Sequence, residues 1–184
     1  GWGIGAAKGI TAGRKGYKAA LFEGGINVPF IARWPGKIAA GKVDDQSLIS
    51  AVDLLPTFCE IARADLPDGY QPDGVSQVAA LKGKPSSVRG KPLFWKMKGS
   101  WPIGKTKPYH WVSYAIVDDH WKLVTKNDST YAELYDLAAD PLEKTDLKEK
   151  KPEVVQDLLQ KIAEWKATLP AKPTGKVFSA ERKK

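Results

Sequence analysis

A single cysteine, Cys59, excludes an intrachain disulfide framework and a cysteine-rich zinc site. Histidine is nearly as scarce: only His110 and His120 occur, in no spacing that suits a metal site or a nucleophile–base pair. Cys59 lies in the apolar run DLLPTFCEIA and reads as a buried structural thiol, and the two histidines read as strand residues. No run approaches the ~20 apolar residues of a membrane-spanning helix, the first residues show no secretory-signal pattern, and there is no internal repeat. The only methionine is Met97 and the first residue is Gly1, so a processed or partial chain is expected, with part of its machinery elsewhere.

Acidic residues are missing from one stretch in particular. Residues 1–18 carry Lys8, Arg14, Lys15 and Lys18 with no acid, and the tail from Ala171 holds five basic residues against Glu181. Those two ends account for the whole net charge of +8, which leaves residues 19–170 neutral. A duplex-binding domain spreads a basic stripe over a folded face. This distribution does not, so neither nucleic acid nor membrane is expected as a partner. The tail reads as a solvated end.

What is present suffices for a core: seven tryptophans and 42% apolar residues argue against global disorder. Residues 1–17 read as a Gly-rich loop. INVPFIARW (Ile26–Trp34) reads as a buried strand, bounded by Gly-Gly and Pro-Gly, with Pro29 placing its start at a sheet edge or bulge. Within Ser47–Arg63, Asp53 is a plausible N-cap and Pro56 fits a first helical turn. Leu54/Leu55, Phe58 and Ile61/Ala62 then recur at helical spacing.

After about Pro85 the character changes. PLFWKM, HWVSYAIV, HWKLVT and AELYDL predict a small antiparallel meander. Pro152 then opens an amphipathic helix whose apolar face is Val154/Val155, Leu158/Leu159, Ile162 and Trp165, ended by Pro170 and predicted to pack on the sheet. The organisation expected is therefore residues 1–85 as one edge of an α/β domain, 86–170 as a small α+β subdomain, and 171–184 as a basic tail.

One stretch carries more than fold. Lys18-Ala-Ala-Leu-Phe22-Glu23-Gly24-Gly25-Ile-Asn27-Val-Pro29, followed by Trp34-Pro35-Gly36, resembles the Lys-Gly-Thr/Ser-x-Tyr-Glu-Gly-Gly-x-Arg-x-Pro … Trp-Pro-Gly signature of type I sulfatases, in the alkaline phosphatase superfamily. VDLLPTF (Val52–Phe58), DGVS (Asp73–Ser76), DDHWKLV (Asp118–Val124) and ELYDLAADPLEKTDL (Glu133–Leu147) resemble further signatures of that family, in the family order. Two departures are Asn27 in place of an arginine and Ala19-Ala20 in place of Gly-Thr/Ser.

The resemblance implies the C-terminal portion of a sulfatase: the edge of an α/β/α sandwich plus a C-terminal subdomain with an antiparallel sheet and one packed helix. It implies a sulfate-ester hydrolase acting on a sulfated small molecule or glycan, with calcium and a formylglycine made from a Cys/Ser-x-Pro-x-Arg motif. That motif is absent here, since Cys59 is followed by Glu60, Ile61 and Ala62. The nucleophile and the metal ligands are therefore expected in an N-terminal catalytic part of the same parent chain, and no metal ligand is assigned here. By itself this chain would be inert.

Lys18 matches the family lysine that contacts sulfate, which makes it the candidate catalytic and substrate-binding residue. Glu23, Gly24 and Gly25 are expected to be structural, the glycines permitting a corner and Glu23 bonding nearby backbone. His110, Lys96 and Lys98 are further substrate-contact candidates. Periplasmic or extracellular location is a family expectation. The alternative is a non-catalytic carbohydrate-binding module stacking sugars on Trp95, Trp101, Tyr109, Trp111 and Trp121, although aromatics on alternating strand positions also serve as core.

Overall fold

Four short runs of aromatic and β-branched residues pair in chain order. The structure, a computed structural model, describes residues 11–18, 20–84, 89–97, 112–127 and 129–170. Strands β1 (Leu93–Lys96), β2 (Tyr114–Asp118), β3 (Trp121–Thr125) and β4 (Ala132–Asp136) form an antiparallel meander in the order β1-β2-β3-β4. Asp118 pairs with Trp121, leaving a two-residue turn in which Asp119 takes φ 54°, the left-handed geometry such turns demand. His120 belongs to that turn and not to a strand; its Nδ1 lies 2.8 Å from an Asp119 carboxylate oxygen. His110 lies outside the described residues.

The register separates the two sheet faces. Leu93, Val117, Lys122 and Tyr135 form one cross-strand row, and Trp95, Ala115, Val124 and Glu133 form the next row on the same face. The other face carries Phe94, Tyr114, Ile116, Leu123 and Leu134. Both faces are covered, which is why β2 and β3 are buried almost throughout.

Helix α4 (Pro152–Thr168) covers the second face. Pro152 starts it, where a missing N–H costs nothing. Leu158 and Ile162 are buried against Tyr114, Ile116, Leu123 and Leu134, and the Trp165 ring stacks on Phe94 at 4.9 Å. Burying a side chain such as Leu158 contributes about 2 kcal/mol. The opposite face is covered by the segment around Leu21 and Phe22, which pack with Val112, Ala115, Val124 and Tyr135. The result is a mixed α/β fold with an antiparallel sheet between a helix and a loop-like layer.

Two expectations for the first half need correction. Ile26 ends a four-residue helical turn, α1 (Glu23–Ile26), and residues 27–34 are not part of a strand. Val28, Phe30 and Ile31 are exposed, Ile31 to 90%. An apolar run states that a segment prefers burial; it does not supply the neighbouring strand. The second correction concerns α2 (Leu54–Ala62), which follows a 3-10 turn at Ala51–Asp53. Its apolar stripe is the open side, with Leu55 and Phe58 exposed and Cys59 only half-buried, whereas Asp53, Pro56 and Thr57 are buried.

Polar convergence explains that inversion. The Asp53 carboxylate accepts the Ser50 N–H at 2.8 Å and the Val75 N–H at 2.9 Å, and pairs with both terminal nitrogens of Arg89. Thr57 Oγ1 accepts the Gln77 N–H at 2.9 Å. Gly74 has no side chain because a Cβ there would lie 2.0 Å from the Val52 carbonyl oxygen. The VDLLPTF and DGVS stretches are thus partners. A short helix, α3 (Val78–Leu81), follows.

Candidate functional site

Lys18 sits in a turn closed by the Ala20 N–H donating to the Tyr17 carbonyl at 2.9 Å. Its side chain is exposed and, among the described residues, its ammonium has no ion-pair partner. Three positions earlier, Lys15 is wholly engaged. Its Nζ donates to Glu133 Oε2 and to the Tyr135 hydroxyl, each at 2.7 Å, and lies 4.6 Å from the centre of the Phe22 ring.

The Lys18 turn rests on Gly24 and Gly25. A Cβ on Gly25 would stand 2.2 Å from the Ala20 carbonyl oxygen and 2.6 Å from that of Tyr17. On Gly24 it would stand 2.5 Å from the Gly16 carbonyl oxygen. No neighbouring backbone yields that much space, so both positions need glycine for close approach and not for a special φ. The Gly24 N–H donates to the Lys15 carbonyl at 2.7 Å, which closes the loop on itself.

Below this turn lies a buried charge cluster. Lys122, fully enclosed on β3, donates to Glu23 Oε1 at 2.7 Å and lies 2.8 Å from Glu143 Oε1, in ion-pair contact but off the hydrogen-bond direction. Glu143 Oε2 accepts the Glu23 backbone N–H at 2.7 Å. Among the described residues, the Glu23 carboxylate bonds the Lys122 and Asn27 side chains (Asn27 Nδ2 to Oε2, 2.9 Å). Burial pushes the Glu143 carboxyl above the usual carboxylate range, against the pull of Lys122. Burial acts the same way on Glu133, but hydrogen bonds from Lys15, Tyr131 and Tyr135 outweigh it and hold that carboxyl below its ordinary value.

The remaining candidates do not gather here. Lys96 is exposed on β1 and its strand position faces the α4 side, away from the face that carries Lys122. Lys98, Trp101, Tyr109 and Trp111 lie outside the described residues. Trp95 packs against the loop-side core and Trp121 against the α4-side core, so these two tryptophans do not share one stacking surface.

The motifs that meet are EGG, WKLV and DPLE, and the family described as N-sulphoglucosamine sulphohydrolase, C-terminal, matches residues 14–168, the span that holds them all. The chain belongs to that sulfatase family. It is 30% identical over 145 residues to an N-acetylgalactosamine-6-O-sulfatase of Bacteroides thetaiotaomicron, covering 78% of this chain and 28% of that protein. Against arylsulfatase A of Bos taurus the identity is 31% over 162 residues, covering 79% and 31%. A solved structure from a glycosaminoglycan-metabolism locus of B. thetaiotaomicron superposes with a TM-score of 0.63 at 25% identity, covering 85% of this chain and 32% of that one. Ps i-CgsB, solved in complex with k-i-k-neocarrahexaose, has the same fold in this region (TM-score 0.65, 23% identity, 82% and 31% covered).

This sulfatase chain spans about 30% of the length of those relatives. No group of three or more His, Cys, Asp or Glu is gathered to hold a metal ion among its described residues. The calcium implied for full-length sulfatases therefore finds no ligand set there. Lys122, Glu133 and Glu143 escaped the sequence reading. The signal available was Lys122 two residues before Val124 on one strand, since alternation places both on a buried face.

Proposed function

We propose that this chain is the C-terminal part of an enzyme hydrolysing sulfate esters of a glycan or an aryl alcohol, and that Lys18 contacts the sulfate group. The single observation that carries this reading is the pairing pattern. Lys15 and Lys122 are each paired with buried or part-buried carboxylates, while the Lys18 ammonium stands exposed with no ion pair among the described residues. An ammonium on a turn whose carbonyls pack closely on Gly25 is suited to bind an anion. As the ester bond breaks, negative charge grows on the bridging oxygen while the other sulfuryl oxygens stay anionic. A fixed cation beside them stabilises that state, because no reorganisation is needed during reaction.

The nucleophile and metal ligands are assigned to an N-terminal catalytic part, with a domain boundary near residue 85 and a basic tail from 171. Exposed Val28, Phe30 and Ile31, three apolar side chains within four residues, support a covering partner of that kind. Export to the periplasm or beyond fits the same reading. The test is hydrolysis of p-nitrophenyl sulfate by this chain and by the full-length protein that carries it. The proposal predicts turnover by the full-length protein alone; turnover by this chain that disappears in Lys18→Ala contradicts it.

A further inference from the structure

We infer that Lys122 and Glu143 are positioning residues for Lys18: the C-terminal subdomain fixes the sulfate-contacting turn through a buried ion cluster. This rests on the reading of Lys18 just given and adds residues that never touch the substrate.

The route is continuous. Glu143 is fully enclosed and holds the Glu23 N–H, while Lys122, equally enclosed, holds the Glu23 carboxylate. Glu23 is thereby gripped at both main chain and side chain. It begins α1, a four-residue helical turn, and one turn is too short to persist without tertiary anchors. Gly24 and Gly25 follow, and the Tyr17 and Ala20 carbonyls flanking Lys18 press directly on Gly25. A change in the orientation of Glu23 moves Gly25, and Gly25 cannot move without displacing the Lys18 turn.

A second tie runs in parallel. The Lys15 N–H donates to the Leu142 carbonyl at 3.3 Å, one residue before Glu143. Glu143 itself adopts φ 56°, in the left-handed region that a non-glycine residue rarely occupies. Its N–H is held by the Asp140 carbonyl at 3.1 Å. That conformation aims its carboxylate inward, and such outliers persist where surroundings enforce them.

A cluster that only stabilised the fold would also be buried and paired, so the test separates position from stability. In the full-length protein, kcat and KM for p-nitrophenyl sulfate are measured for Glu143→Gln, Lys122→Met and Lys18→Ala, and for each of the first two combined with Lys18→Ala. Amide hydrogen exchange is followed on the same proteins. Glu143→Gln and Lys122→Met are expected to lower kcat/KM on the order of 10- to 100-fold, as displaced contact groups do. In the Lys18→Ala background they cost nothing further, because residues acting through one group are not additive. Protection falls further at the Gly24 and Gly25 amides than in β2 and β3.

Losses that multiply in the double variants, or protection lost evenly across the sheet, overturn the inference and leave the Lys18 reading standing. Full activity of Lys18→Ala alone overturns both, and that single variant reveals it. If Lys122→Met fails to fold, Glu143→Gln and Lys122→Arg, which keeps the cation, complete the series.

Discussion

Lys122 and Glu23, 99 residues apart in the chain, meet at 2.7 Å on the loop-covered face of the sheet, with the lysine wholly enclosed. On the neighbouring cross-strand row the polarity reverses, and Glu133 of the sheet takes Lys15 of the loop. The sheet thus offers Lys122 and Glu133 and the loop offers Lys15 and Glu23, with Glu143 as a second anion beside Lys122. Sliding the loop, or slipping a strand by one residue, would bury unpaired charge, so the arrangement specifies one register.

The two pairs predict unequal costs. Lys122→Met leaves Glu23 and Glu143 without their cation in an enclosed site, and is expected to destabilise by about 3–5 kcal/mol. Lys15→Met removes a partner that is partly solvated and leaves Glu133 its two tyrosine donors, so a loss of about 1–2 kcal/mol is expected. Urea unfolding of the two variants checks the order.

Glu143→Gln is predicted to be mild beside Lys122→Met. Glutamine keeps an oxygen that can accept the Glu23 N–H and leaves the Lys122–Glu23 pair in place, so only one of the two carboxylates beside Lys122 is lost. The urea midpoint of Glu143→Gln at neutral pH is expected to lie closer to wild type than that of Lys122→Met.

Acid sensitivity follows from Glu133. Its folded pKa is depressed, so its contribution to stability is complete above the unfolded value, about 4.3, and fades as pH falls through the folded value. Glu133→Gln is expected to lower the melting temperature at neutral pH and to flatten its decline in acid. Melting curves collected from neutral pH downward check the slope.

Glycine substitutions discriminate close approach from open space. Gly25→Ala places a Cβ 2.2 Å from a carbonyl oxygen, and a cost of about 1–3 kcal/mol is expected. Gly36 has φ +75° and nothing within 4 Å of an added Cβ, so alanine there meets only backbone strain, about 1 kcal/mol. Thermal melts of the two single variants test this.

Legibility in the sequence divides along physical lines. The meander and α4 could be read because alternation and helical spacing record burial within one element. The segment after Ile26 misled, since an apolar run reports a need for cover without naming what covers it. At α2 the period was right and the buried side was wrong: Asp53 and Thr57 are drawn inside by backbone N–H groups of residues 75 and 77 and by Arg89, none of which local spacing encodes. The Lys18 turn was visible only through its motif. Its proposed supports, Lys122 and Glu143, lie more than 100 residues away, where each reads as one charge among many.

The most direct test of the account is kcat/KM for p-nitrophenyl sulfate in the full-length protein, comparing wild type with Lys18→Ala and using the melting temperature to confirm folding. Loss of a charge-stabilising donor predicts a fall on the order of 100- to 1,000-fold with an unchanged melting temperature, because the exposed ammonium makes no ion pair among the described residues. Wild-type turnover in folded Lys18→Ala would contradict the assignment of this turn to the sulfate site.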